Sequence, residues 1–179
     1  MTTIIEPPKT QNPQPQRTQT PPYSETNFVF IKEPERAAET IQYLDRLLIE
    51  REVKFTRKSF QTIRPVLKLP LVFHYQHVFP KYFEIAIDMV LKLARRGVTP
   101  FIYTGPEGLC DTIIKCTGDT DPAKAEPWTV RGALCNDSIE KAKAERRSVE
   151  NLIHRSRNTL EALTEISRFN QLLIPIDTV

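Results

Sequence analysis

The chain has 179 residues, 40% of them hydrophobic and 26% charged, with a formal net charge of +3. This is enough apolar material for one core of ordinary size, with no apolar run long enough to span a bilayer. The mild charge permits an anionic ligand but gives no case for sequence-independent nucleic-acid binding, which requires a clustered basic face.

Residues 1–26 read as a flexible arm. Pro7, Pro8, Pro13, Pro15, Pro21 and Pro22 stand among Gln and Thr, so the segment cannot bury enough apolar surface to offset its ordering entropy. Proline-rich arms are also common protein ligands, so a protein partner for it is an open expectation. Thr2–Pro7 has neither a basic region nor an apolar stretch of the kind that marks a signal peptide. Cys110, Cys116 and Cys135 form no C-x-x-C pair and leave an odd count. Reduced thiols in a cytoplasmic protein are expected.

Asn27–Ile31, N-F-V-F-I, reads as a compact strand. Pro34 opens a helix to about Glu50, with Ala37, Ile41, Leu44, Leu47 and Leu48 on one face. Glu52–Phe60 alternates and reads as a half-buried strand. A helix is expected from Pro80 to about Arg95, its apolar face carrying Phe83, Ile87, Val90, Leu91 and Ala94 and its end set by Gly97. Pro100–Tyr103 is a short strand, Glu107–Cys116 a helix, Thr117–Trp128 an exposed loop and Asn136–Val149 a solvated, charged helical face.

Asn151–His154 reads as a short buried strand that ends at its histidine. Asn158 caps the next helix, Glu161 answers the cap, and Leu160, Leu163 and Ile166 supply its apolar face. Glu165, about three turns along, can reach back towards a ring nitrogen of His154. This order of elements predicts an α+β, ferredoxin-like sandwich: a four-stranded antiparallel sheet covered by helices.

With five glycines, the chain assembles neither a Walker A loop nor G-x-G-x-x-G. His74-x-x-His77 lacks a third and fourth ligand at suitable spacing for structural zinc. What remains is a set of polar and cationic residues at element edges: Lys32, Tyr75, Thr120, Arg131, Asn151 and His154. Singly, each has an ordinary structural explanation.

Taken together, they carry a resemblance. Gly118–Leu134, G-D-T-D-P-A-K-A-E-P-W-T-V-R-G-A-L, followed by N-L-I-H-R-S and then Glu165, resembles the nucleoside diphosphate kinase family. That family has G-x-T-N-P-A-x-x-x-P-G-T-I-R-G-D-F, then N-x-x-H-G-S-D-S, then a glutamate. F-V-F-I-K at Lys32, H-Y at Tyr75 and Phe83 extend the likeness across residues 27–170. It implies that His154 accepts a phosphoryl group from a nucleoside triphosphate and passes it to a diphosphate. Glu165 would fix the imidazole tautomer, and Ser156 and Tyr75 would frame the ring. Arg131 and Thr120 would hold phosphate oxygens, and Lys32 would sit near the ribose and the transferred group. Asn151 would contact the ribose and Phe83 the base. The implied cofactor is Mg²⁺ with ATP or another nucleoside triphosphate, and the implied assembly a homo-oligomer.

The sequence also departs from that pattern. Ile114 stands where the family has a second phosphate-holding arginine, with Lys115 beside it. Arg155 replaces the glycine after the histidine, Arg157 the following acid, and Trp128 the glycine before T-V-R-G. An insertion lies within 136–149, and the C-terminal tail is cut to 171–179. Two readings follow: a phosphotransferase, or a kinase-fold module that serves in assembly, for example in a cytoskeletal or axonemal structure, tethered by its arm.

Overall fold

The structure, a computed structural model, describes residues 24–63, 72, 80 and 82–176. Most of the arm, the His74/His77 pair and Tyr75 lie outside these residues.

Four strands form one antiparallel sheet: β1 (Ser24–Ile31), β2 (Thr56–Ser59), β3 (Thr99–Pro106) and β4 (Ile153–Arg155), in the spatial order β2-β3-β1-β4. β1 is central and alternates strictly between the two faces. Val29 and Ile31 join a core with α1 (Ala37–Ile49) and α3 (Leu109–Thr117), through Leu44, Leu48, Leu109 and Ile113. Phe28 and Phe30 join a second core with α2 (Phe83–Arg96) and α6 (Thr159–Phe169), through Val90, Leu93, Ala162 and Phe169. A strand covered on both faces reads as a continuous apolar run, which is why F-V-F-I is legible in the sequence. Two short helices, α4 (Val130–Leu134) and α5 (Ile139–Ala144), lie between α3 and β4.

Several boundaries differ from the sequence reading. β1 starts at Ser24, so Ser24–Thr26, expected in the arm, pair with Pro106–Thr104 instead. Glu25 also accepts a hydrogen bond from Cys110 N at 2.7 Å, at the first turn of α3, where a carboxylate suits the helix dipole. The strand expected over 52–60 shrinks to β2, because Glu50–Glu52 continue as a turn after α1, with Glu52 at φ 57°. Thr117–Trp128 is not simply an exposed loop: Asp121 and Pro122 are buried, and Asp121 Oδ1 accepts from Ile139 N at 3.0 Å. Within Asn136–Val149, only Ile139–Ala144 is helical.

Two helices are rotated from the expected faces. In α2 the buried residues are Ala86, Val90, Leu93 and Ala94, while Phe83 is 62% exposed. In α6 they are Ala162, Glu165 and Phe169, while Leu160 and Leu163 face outward. The α6 rotation turns two leucines out and brings one glutamate in.

Candidate active site

His154 occupies the middle of β4, opposite Phe30 of β1, and the two rings stack at 4.5 Å between centroids. The strand is introduced by an unusual turn. Leu152 has φ 56°, and Ile153 N donates to Asn151 O at 2.6 Å, a two-residue reach. A left-handed, non-glycine residue in such a turn is strained, and it persists only where the surroundings over-determine it. Here Lys32 N donates to Leu152 O at 2.8 Å, which ties the turn to the end of β1.

The imidazole is oriented from one side. Its Nε2 lies 3.1 Å from both carboxylate oxygens of Glu165, which is buried. Ser156 Oγ lies 2.6 Å from Glu165 Oε2 and 3.1 Å from Phe28 O. A hydroxyl has one proton, and the shorter contact to the carboxylate takes it. Ser156 Oγ also accepts from Phe28 N at 3.3 Å, so the serine joins β1, β4 and α6. Asn158 caps α6 by accepting from Glu161 N at 2.9 Å. The Glu161 carboxylate accepts from Arg157 N at 2.5 Å, one residue ahead of the cap. A carboxylate against Nε2 requires the proton there, so the lone pair belongs to Nδ1. Burial holds the imidazole well below its usual range, and Lys32, Arg131 and Arg155 lower it further. His154 is therefore a neutral base at pH 7.

The ring keeps 17% of its side chain exposed and lines a cavity of about 930 Å³. The same wall carries Lys32, Thr120, Arg131, Asn151 and Glu165. Lys32 Nζ donates to Asn151 Oδ1 at 2.5 Å, and Asn151 Nδ2 donates to Thr120 O at 3.0 Å. Burial first, then Arg131, push the Lys32 ammonium down to about 7. Arg131 is itself buried, with Nε, Nη1 and Nη2 donating to the carbonyls of Asn151, Gly118 and Ile153 at 3.4, 3.0 and 2.8 Å. It thereby binds the 118–132 loop to the turn before His154.

The loop is compact enough to place this guanidinium. Thr129 caps α4 by accepting from Gly132 N at 3.1 Å. A Cβ at Gly132 would fall 2.1 Å from Glu126 O, so only glycine fits.

Of the residues selected from the sequence, Lys32, Thr120, Arg131, Asn151, His154, Ser156 and Glu165 converge. Phe83 stands at the exposed start of α2 and is not in the cavity wall, whereas its neighbour Tyr82 is. Tyr75 lies outside the described residues. The insertion supplies wall residues that the sequence did not suggest, among them Lys143, Arg147 and Ser148. It is clasped in place: Asp137 accepts from Arg147 at 2.6 and 2.8 Å, and Asp88 of α2 accepts from Ser148 N and Oγ at 2.8 and 2.7 Å. Seven Lys or Arg residues line the cavity against two carboxylates, Glu161 and Glu165. Such a wall favours a polyanion.

Structural comparison relates the fold to known ones. The structure is similar to that of a nucleoside-diphosphate kinase from Borrelia burgdorferi, a transition-state mimic with bound vanadate and ADP. The TM-score is 0.68 at 18% identity, over 87% of this chain and 93% of that one. An NDP kinase from Pyrobaculum aerophilum gives 0.62 at 19% identity, over 85% and 100% of the two chains. The apo nucleoside diphosphate kinase from Encephalitozoon cuniculi gives 0.57 at 22%, over 81% and 88%. The chain has the nucleoside diphosphate kinase fold. No family model matches it, and no curated protein matches it in sequence.

Within the nucleoside diphosphate kinase fold, two of the departures lie away from the cavity. Ile114 and Lys115 of α3 are absent from its wall. Trp128 is absent too: the Arg51 guanidinium covers its ring at 4.4 Å, and Tyr43 Oη donates to its carbonyl at 3.1 Å. Residues of the 136–149 segment line one side of the cavity. No described helix is long and apolar enough to cross a membrane.

Proposed function

We propose that the protein is a nucleoside diphosphate kinase-like phosphotransferase that works through a phosphohistidine at His154. The single observation that carries this reading is the Glu165–His154 contact, which leaves Nδ1 as the basic nitrogen of a ring that lines a cation-walled cavity.

The chemistry is a pair of displacements. The Nδ1 lone pair attacks the γ-phosphorus of a nucleoside triphosphate. A P–N bond forms as the P–O bond to the β-phosphate breaks, and the diphosphate leaves with that electron pair. The phosphorylated ring is cationic, its Nε2 proton still held by the Glu165 carboxylate. A second diphosphate then attacks with a terminal oxygen, and the P–N bond breaks to restore neutral His154. No proton need leave the protein. Catalysis of this kind is positioning and charge neutralisation, and two like half-reactions give ping-pong kinetics.

The substrate is read as the Mg²⁺ complex of ATP or another nucleoside triphosphate. The wall is cationic. Mg²⁺ is taken to enter on the phosphates, where it would draw charge from the γ-phosphoryl oxygens. Lys32 is assigned to the ribose and the transferred group, Thr120 to phosphate oxygens, Arg131 to holding the His154 turn and lending charge, Asn151 to the ribose and Tyr75 to the ring, while Phe83, outside the cavity wall, is given no role at the base.

In the same reading, residues 24–170 are the kinase-like domain, since β1 begins at Ser24, 1–23 a tether for a protein partner, and the protein a cytoplasmic homo-oligomer. The second reading, an assembly module, is favoured by the commitment of Arg131 to three carbonyls.

Incubation with γ-labelled ATP tests the proposal. Acid-labile, base-stable label that is lost in His154→Gln and moves to added diphosphate is the expected result. Unlabelled wild-type protein would leave the module.

A further inference from the structure

We propose that Arg155 is the anchor for the phosphate chain in this cavity, a guanidinium kept for an anionic ligand and not for the fold. Arg155 follows His154 directly on β4 and lines the same cavity. Its Nε is buried and finds no hydrogen-bond partner among the described residues. Neighbouring cations are differently placed. Arg157 pairs with Glu161 at 3.1 Å, Arg147 with Asp137 at 2.6 Å, and Lys32 donates to Asn151 at 2.5 Å.

A buried N–H donor without an acceptor destabilises the ligand-free protein, so its retention points to an acceptor supplied from outside. Within the chain, the acidic groups that act on Arg155 are Glu161 and Glu165. Glu161 accepts from Arg157 N and Nε, and Glu165 from Ser156 and the His154 ring. Arg157 repels it. A ligand that satisfies Arg155 must therefore be an anion strong enough to sit among several cations. Planar guanidinium donors match paired phosphate oxygens better than an ammonium does. Sharing the cavity wall with His154 assigns Arg155 to the phosphate chain of a ligand held there.

That last assignment rests on the proposed phosphotransferase reading, but the anchor can be tested without transfer. Inorganic tripolyphosphate and adenosine are titrated calorimetrically into wild type, Arg155→Met and Arg155→Lys. Tripolyphosphate binding is expected to weaken about ten- to hundredfold in Arg155→Met and less in Arg155→Lys, with adenosine binding unchanged. Ligand-free Arg155→Met is expected to melt no lower than wild type, since it removes a desolvated donor. Unchanged tripolyphosphate affinity overturns the anchor, as does a wild type that does not bind it. A lower melting temperature in Arg155→Met also overturns it, by giving the side chain to the fold. Wild type that binds tripolyphosphate through Arg155 yet never labels His154 sinks the transfer reading alone.

Discussion

Glu165 meets His154 with both carboxylate oxygens 3.1 Å from Nε2, although eleven residues and a change from strand to helix separate them. The cost of burying that carboxylate is offset by the Ser156 hydroxyl at 2.6 Å and the imidazole N–H. Glu165→Gln is close to isosteric, but it removes the charge that pins the proton on Nε2 and steadies a phosphorylated ring. Loss of one charge-assisted contact costs about 1.5–3 kcal/mol. The turnover of labelled His154 is therefore expected to fall about ten- to hundredfold. Single-turnover kinetics check this, and an unchanged rate would remove Glu165 from the mechanism.

Ligand binding should depend on pH through Lys32. Its ammonium is pushed down to about 7 from an ordinary 10.5, so the cation is present below pH 7 and is lost as pH rises through it. Affinity for tripolyphosphate should decline between pH 6.5 and 8.5, and Lys32→Arg, always charged, should flatten the decline. Stability runs the opposite way. Between about pH 7 and 10.5 the unfolded chain binds the extra proton, so this group makes stability rise with pH across that window. Titration calorimetry and denaturant midpoints at several pH values separate the two trends.

The clasp on the insertion gives a stability trend of the same sign in the acid range. The Arg147 guanidinium holds the Asp137 carboxyl well below the usual carboxylate range, so the stabilisation is present above its ordinary 3.8 and is lost as pH falls through the lowered value. Asp137→Asn should reduce stability by about 1.5–3 kcal/mol and blunt the acid dependence of unfolding. Because Arg147 and Ser148 line the cavity, the KM for nucleotide should also rise. A variant with altered stability and unaltered KM would detach the insertion from the site.

Gly132→Ala tests the loop that carries Arg131. With the added methyl 2.1 Å from a backbone carbonyl oxygen, the loop must shift, at a cost of about 1–3 kcal/mol or more. Urea denaturation should show a lower midpoint. A wild-type midpoint would mean that the loop adjusts freely.

These expectations follow from features the sequence displays unequally. The apolar stripe of α1 is unambiguous, because Ala37, Ile41, Leu44, Leu47 and Leu48 share one face and all are buried, with Ile49 at the helix end left exposed. In α6 two stripes compete, and hydrophobicity alone selects Leu160 and Leu163 over Glu165. The buried stripe is decided by polar partners, Ser156 and His154, that come from outside the helix. In α2 the larger Phe83, Ile87 and Leu91 mask the buried Ala86 and Leu93, and of the expected face only Val90 and Ala94 are buried.

Arg131 shows a different limit. Its place beside the histidine follows from the motif, but its three acceptors lie at 118, 151 and 153 and exist only after folding. The five-residue α4 is too short for a periodic signal, although its cap Thr129 is present in the sequence. The insertion reads as solvated charge because the sequence does not reveal that Asp137 and Arg147 face each other, or that Asp88 waits for Ser148.

The most direct test of the account is the position of the phosphate on His154. Protein with ¹⁵N-labelled histidine is incubated with Mg²⁺–ATP and examined by heteronuclear NMR. Phosphorus coupling to Nδ1, with the proton retained on Nε2, is the expected result. Phosphate on Nε2, or ring nitrogens unchanged by ATP, would contradict it.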